Sequence, residues 1–198
     1  GNLRYIVLDE VHTYKGIFGS HISQVLLRML RVCRTYRAEP QFIACSATIS
    51  NPGIFVSRLI GQDVEVVNRS GAPCSERHFV FVNPILSPYT VAARFFAKAL
   101  ESGLKTIVFT RARRITELIT TWVLQEAPHL KGRISSYRAG FLPEERRDIE
   151  TKLFSGSMDG VISTSALEMG IDVGGLDLCI LVGYPGTIIN TWQRGGRV

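Results

Sequence analysis

Two short stretches of this sequence carry residue types that could do chemistry together. Asp9-Glu10-Val11-His12 follows the apolar run Leu3 to Leu8, and Ser46-Ala47-Thr48 follows the apolar run Gln41 to Cys45. A short apolar run of this kind is the pattern of a buried strand, and parallel sheets collect ligands beyond the carboxyl ends of their strands. Two adjacent carboxylates at such an end are costly to desolvate without a cation. Mg²⁺ suits one of them, and the other can then polarise a water for hydrolysis. Ser46 and Thr48 are by themselves ordinary turn and cap residues. Their interest is that they end a second strand at the distance a βαβ unit requires.

A third group is basic. Arg111, Arg113 and Arg114 follow the run Thr106 to Thr110 and open a helix-period segment. Cations at a helix N-terminus oppose the macrodipole, and a phosphate arriving there would reverse that penalty and use the free amides. Such a cluster reads either as a nucleic-acid contact or as a solvated face. Arg28, Arg31, Arg34 and Arg37 spread around a helix and read as a solvated face. His21, His78 and His129 have no His or Cys neighbours at metal-binding spacing.

These groups must be positioned by an alternation of strands and helices. Apolar spacings of three and four from Ile22 to Cys33, from Val91 to Ala99 and from Ile115 to Trp122 predict helices. Asn51-Pro52 and Pro143-Glu144-Glu145 mark two further helix starts. Strands are expected at Leu3–Leu8, Gln41–Cys45, Val64–Val67, Phe79–Val82, Thr106–Thr110, Ile134–Tyr137, Gly160–Thr164 and Leu178–Val182. The order predicts an α/β fold with a mostly parallel sheet. Ser70 to Glu76 interrupts it with Gly, Pro and Ser, which divides the chain into residues 1–69, a linker 70–76, and residues 77–198.

Composition narrows the class. Of 198 residues, 45% are hydrophobic and 20% charged, enough for a packed core. The net charge of +6 leans toward polyanions and is shared evenly by the two halves. No apolar run approaches the roughly 18 residues of a membrane span, so no membrane partner is expected. Cys33, Cys45 and Cys179 lie in apolar runs and read as small core residues, and no Cys pair has metal or redox spacing. The expected compartment is the reducing cytoplasm.

Taken in order, five stretches resemble the motifs of superfamily 2 helicases. Asp9-Glu10-Val11-His12 looks like motif II and Ser46-Ala47-Thr48 like motif III. Ile107-Val108-Phe109-Thr110 looks like motif IV, Ser163 to Asp172 like motif V, and Gln193-Arg194-Gly195-Gly196-Arg197 like the opening of motif VI. Three further stretches narrow the likeness: Thr13 to His21, Tyr137-Arg138-Ala139-Gly140 with Leu142 to Arg147, and Gly183-Tyr184-Pro185-Gly186-Thr187. These resemble the bacterial MrfA (YprA-type) DNA-repair helicases and their fungal RecQ-like relatives. The Lhr-type helicases share the form of motif V but fit Tyr137 to Arg147 less well.

The resemblance implies RecA-like domains of the P-loop NTPase type, the first incomplete here. It implies ATP and Mg²⁺ as cofactors, and 3′-to-5′ movement on single-stranded DNA or on duplex DNA with a single-stranded tail. Asp9 would hold Mg²⁺ through water, Glu10 would orient the attacking water, and His12 would link the nucleotide site to the second domain. Ser46 and Thr48 would couple hydrolysis to DNA. Gly170 and Asp172 would line the cleft, and Gln193 and Arg197 would face the γ-phosphate. Thr110, Arg111, Arg113, Arg114, Arg138 and Thr164 would meet nucleic acid. The chain contains no Gly-x-x-x-x-Gly-Lys-Ser/Thr sequence, so the expectation is a helicase fragment that is inactive in isolation. A non-enzymatic DNA-binding fragment and an RNA-directed or Lhr-type motor are the alternatives.

Overall fold

The computed structural model describes residues 2–46, 49–72, 76–167 and 175–198. The chain divides into two compact units, Gly1–His78 and Phe79–Val198.

In the first unit, strands β1 (Tyr5–Leu8) and β2 (Gln41–Ala44) form a parallel pair. Their register sets Tyr5 opposite Gln41 and Leu8 opposite Ala44. Helix α1 (Gly16–Thr35) makes the crossover, and α2 (Pro52–Ile60) follows β2. Leu8, Val11, Leu26, Val56, Leu59 and Ile60 form the core. Among the described residues only one face of β1 is covered: Leu8 is buried, whereas Tyr5 and Val7 are exposed. Arg28, Arg31, Arg34 and Arg37 are all exposed.

The second unit is a three-layer sandwich. Its sheet has the order β4 (Ile134–Tyr137), β5 (Gly160–Ser163), β3 (Thr106–Phe109), β6 (Leu178–Leu181), and every pairing is parallel. Every residue of the central strands β3 and β5 is buried, as expected of parallel strands covered on both faces. One face, with Val108 and Ile162, packs on α3 (Pro88–Glu101) and α4 (Arg113–Glu126). The other, with Ile107, Phe109 and Val161, packs on Ile149 and Leu153 of α5 (Pro143–Phe154). A Cβ on Gly160 would lie 2.5 Å from the Phe96 ring, so only glycine lets α3 approach β5 this closely. Helix α6 (Ile188–Gly195) follows β6.

The sequence-based expectations need four corrections here. Val64–Val67 and Phe79–Val82 form no strands; their apolar side chains are largely exposed, with Val67 at 89% and Phe81 at 91%. A strand needs a ladder partner, and neither segment has one among the described residues. Helix α6 was not expected from the apolar spacing, although Thr187 marks its start: the Thr187 hydroxyl accepts from the Asn190 amide at 3.1 Å. Cys33 is buried as expected, but Cys45 is exposed. Among the described residues no helix is long and apolar enough to cross a membrane.

Candidate functional site

The carboxyl ends of β1 and β2 hold the first group of candidate residues. The parallel register continues past the strands: the Cys45 amide donates to the Leu8 carbonyl at 2.8 Å, and the Val11 amide donates to the Cys45 carbonyl at 3.1 Å. This pairing brings residues 9–12 beside Ser46. Glu10 adopts a left-handed conformation (φ 49°, ψ 45°), which a non-glycine residue enters at a cost of about 1–3 kcal/mol. Its neighbours hold it there. The Asp9 carboxylate accepts from the Glu10 amide at 2.8 Å. The Glu10 carbonyl accepts from the Thr13 hydroxyl at 2.8 Å and from the Thr13 amide at 2.9 Å.

His12 occupies a 3₁₀ turn, Val11–Thr13, and is 5% exposed. Its Nδ1 lies 3.2 Å from the Glu10 carboxylate and 3.2 Å from the Ser46 hydroxyl. His12 thereby joins the residue that ends β1 to the one that ends β2. The turn's exit into α1 depends on Gly19, whose Cβ would lie 2.1 Å from the Tyr14 carbonyl oxygen. Thr13 and Gly19 were not singled out as positioning residues; the threonine three residues after a carboxylate was the available signal.

Asp9 is exposed and Glu10 half-buried at an open strand end. Two hard oxygen donors there suit a divalent cation held through water. Among the described residues no group of three or more His, Cys, Asp or Glu side chains could hold a metal ion. Asp9 and Glu10 alone are oxygen donors of the kind that Mg²⁺ would take, one or two carboxylates beside waters and substrate phosphates.

The second group lies at the carboxyl ends of β3, β4 and β5 and on α6. Arg113 and Arg114 are exposed on the first turn of α4. The exposed Arg111 guanidinium donates to the Tyr184 carbonyl, from Nε at 2.9 Å and from Nη2 as well. It ties the turn after β3 to the loop after β6. Thr110 is 1% exposed, and its hydroxyl donates to the Ala112 carbonyl at 3.3 Å. Its side chain is therefore beneath the surface, which corrects the expectation of a direct nucleic-acid contact. Arg138 pairs with Glu117 at 3.1 Å and lies over the Phe141 ring at 5.0 Å. Thr164 is half-buried at the end of β5.

Gln193 and Arg197 are half-buried at the carboxyl-terminal part of α6 and just beyond it. Between them, Arg194 is buried, with its guanidinium 5.4 Å from the centroid of Phe109. Its carbonyl accepts from the Cys179 thiol at 3.3 Å. Burial pushes that thiol up to about 12, against a smaller opposing effect of Arg194. Tyr137, at the end of β4, donates to Glu150 on α5 at 2.6 Å. Burial, reinforced by Glu150, raises its hydroxyl to about 12. Thr48, Gly170 and Asp172 lie outside the described residues.

Comparison with known proteins fits this arrangement. Residues 91–198 match the helicase conserved C-terminal domain. The chain is 42% identical to the ATP-dependent helicase YprA of Bacillus subtilis, over 99% of its own length and 28% of YprA. It is 37% identical to the ATP-dependent helicase hrq1 of Schizosaccharomyces pombe, over 99% of its own length and 20% of hrq1. The chain thus spans about a quarter of the length of these relatives. The crystal structure of the helicase MrfA bound to DNA superposes with a TM-score of 0.93 at 41% identity, covering 100% of this chain and 29% of MrfA. A second MrfA structure, bound to DNA and AMPPNP, superposes with a TM-score of 0.91. By the family match over its second unit the chain belongs to the proteins with a helicase conserved C-terminal domain, of superfamily 2, and it is similar to the YprA/MrfA and Hrq1 helicases.

Proposed function

We propose that this chain works within an ATP-dependent DNA helicase that moves 3′ to 5′ on single-stranded DNA, in DNA repair in the reducing cytoplasm. Residues 1–69 would be the rear of a first RecA-like domain, 70–76 the linker, and 77–198 the second RecA-like domain. The observation that carries this reading is the Glu10–His12–Ser46 contact, with both distances at 3.2 Å. It gives a hydrolytic carboxylate a physical connection to the neighbouring strand end. Identity of 42% to MrfA, crystallised with DNA and AMPPNP, supports the choice of DNA and of a nucleoside triphosphate.

In this mechanism Asp9 would hold Mg²⁺ through water, and that ion would supply charge neutralisation on the triphosphate. Glu10 orients the attacking water and takes its proton. The strained backbone fixes its carboxylate before substrate arrives, so little reorganisation is needed at the reaction. His12 holds the Glu10 carboxylate and passes its position to Ser46, which with Thr48 couples hydrolysis to DNA. Gln193 and Arg197 would serve the γ-phosphate, Arg197 as an arginine finger, and Gly170 and Asp172 would serve the nucleotide. Arg113, Arg114, Arg138 and Thr164 contact DNA phosphates, and Arg111 supports the loop beside them.

The test is unwinding by the full-length protein of 3′-tailed and 5′-tailed DNA duplexes and of RNA duplexes of the same sequence. ATP-dependent opening of the 3′-tailed DNA alone is expected. Equal opening of RNA would overturn the DNA assignment, and opening of the 5′-tailed substrate would overturn the polarity.

A further inference from the structure

The segment Phe79–Val82 forms no strand, yet one of its side chains has a defined seat. The Phe79 ring lies 5.5 Å from the ring of Trp192 on α6, inclined at 57°, a spacing at which aromatic pairs attract. The same ring reaches the helix backbone: a Cβ on Gly195 would lie 3.4 Å from two of its carbons. Phe81 stands 5.9 Å from Phe79 and is itself 91% exposed. Within this segment the Phe79 ring therefore rests on α6.

Where it grips matters. Trp192 and Gly195 bracket Gln193 and Arg194, and Arg197 follows two residues later. The helix end is closed by the Gly196 amide donating to the Trp192 carbonyl at 2.8 Å, and by the Arg197 amide donating to the Arg194 carbonyl at 3.2 Å. Arg194 anchors this turn to the sheet through Phe109 and Cys179. Phe79 supplies a second anchor, on Trp192 and Gly195. Two anchors fix the turn that leads to Arg197. Phe79 is also the first residue of the second compact unit, immediately after the segment that joins it to the first.

We propose that Phe79 is a positioning residue for Arg197: its seat on Trp192 and Gly195 ties the path of the interunit segment to the placement of the γ-phosphate arginine. This rests on the reading of Arg197 given above. An arginine misplaced by an ångström lowers turnover while leaving the rest of the nucleotide and DNA contacts in place, and a displacement of that size costs up to about 100-fold.

The experiment uses the full-length protein and measures kcat and KM for ATP with single-stranded DNA, DNA affinity and thermal midpoint. Phe79→Ala is expected to lower kcat by about 10- to 100-fold, with KM for ATP and DNA affinity changed by less than about twofold. Phe79→Leu, which keeps apolar bulk on Gly195, is expected to fall between this and wild type, and Phe81→Ala to match wild type. Trp192 emission, isolated by subtracting the Trp192→Phe variant, is expected to change when AMPPNP and DNA bind, and to lose that change in Phe79→Ala. A Phe79→Ala protein with wild-type kcat overturns the proposal. So does one in which kcat, DNA affinity and thermal midpoint fall together, with Phe79→Leu no better. Wild-type turnover in Arg197→Ala would instead overturn the reading of Arg197 itself; an inactive Arg197→Ala beside a fully active Phe79→Ala overturns the Phe79 proposal alone.

Discussion

Replacing His12 by Ala tests whether the contact between the two strand ends has a mechanistic role. The imidazole Nδ1 serves Glu10 and Ser46 at the same distance, 3.2 Å. A hydrogen bond to a charged group contributes about 1.5–3 kcal/mol net. The Glu10 side chain is 37% exposed, so solvent screening takes the lower part of that range, about 1–2 kcal/mol. If the contact orients Glu10 in the transition state, its loss lowers kcat by about 5- to 30-fold. His12 is buried, so the variant also loses packing, and the thermal midpoint is expected to drop by a few degrees. The assay is ATP hydrolysis by the full-length protein with and without saturating single-stranded DNA. The rate should fall in both conditions, and the ratio of the two rates should fall as well, because the route through Ser46 is cut. Ser46→Ala, which spares the contact with Glu10, should reduce that ratio more than it reduces the DNA-free rate. A His12→Ala enzyme whose DNA stimulation equals wild type would refute the reasoning.

Three further outcomes follow from the geometry. Changing Arg113 and Arg114 to Ala in the full-length protein should flatten the plot of log affinity for single-stranded DNA against log salt, by about 0.7 for each phosphate the protein ceases to neutralise; an unchanged slope would make them a solvated surface. Tyr137 and Cys179 are both raised to about 12, from 10.0 and 9.0. Their raised values mean that the fold holds these protons more tightly than the unfolded chain, so the stability they contribute is complete below pH 9 and is lost as pH rises toward 12. The urea midpoint should decline over that window, and Tyr137→Phe with Cys179→Ala should decline less. Finally, the 198 residues contain no phosphate-cradling loop sequence, so purified as they stand they should not hydrolyse ATP; turnover abolished by Glu10→Gln would contradict this.

Much of the fold was legible because its elements are locally determined. Ile134–Tyr137 reads as a strand and is one. The Pro143-Glu144-Glu145 start is a helix whose first turn carries both acids, with Glu145 accepting from the Leu142 amide at 2.9 Å. Val64–Val67 and Phe79–Val82 failed because β-propensity describes a surface that fits a ladder, and no neighbouring strand among the described residues supplies one. Helix α6 escaped notice because it is only eight residues long, although Thr187 caps it and Ile188, Ile189 and Trp192 stand at helical spacing. For the site, Asp9 and Glu10 were visible as residue types at a strand end. The contact of His12 with Ser46 was not, because it spans 34 positions and depends on the parallel register of β1 and β2. Arg111 and Thr110 show the converse. Their types suggested phosphate contacts, but sequence could not show that Arg111 also reaches a carbonyl of a distant loop or that the Thr110 hydroxyl turns to the local backbone beneath the surface.

The central claim is that Glu10 activates water in an ATP-driven motor. It is tested most directly by nucleotide binding and DNA-stimulated hydrolysis in the full-length protein carrying Glu10→Gln. The substitution keeps size and removes the carboxylate, so ATP affinity should remain within about threefold while turnover falls by at least about 100-fold, the scale of general-base catalysis. Hydrolysis at the wild-type rate in that variant would contradict the account.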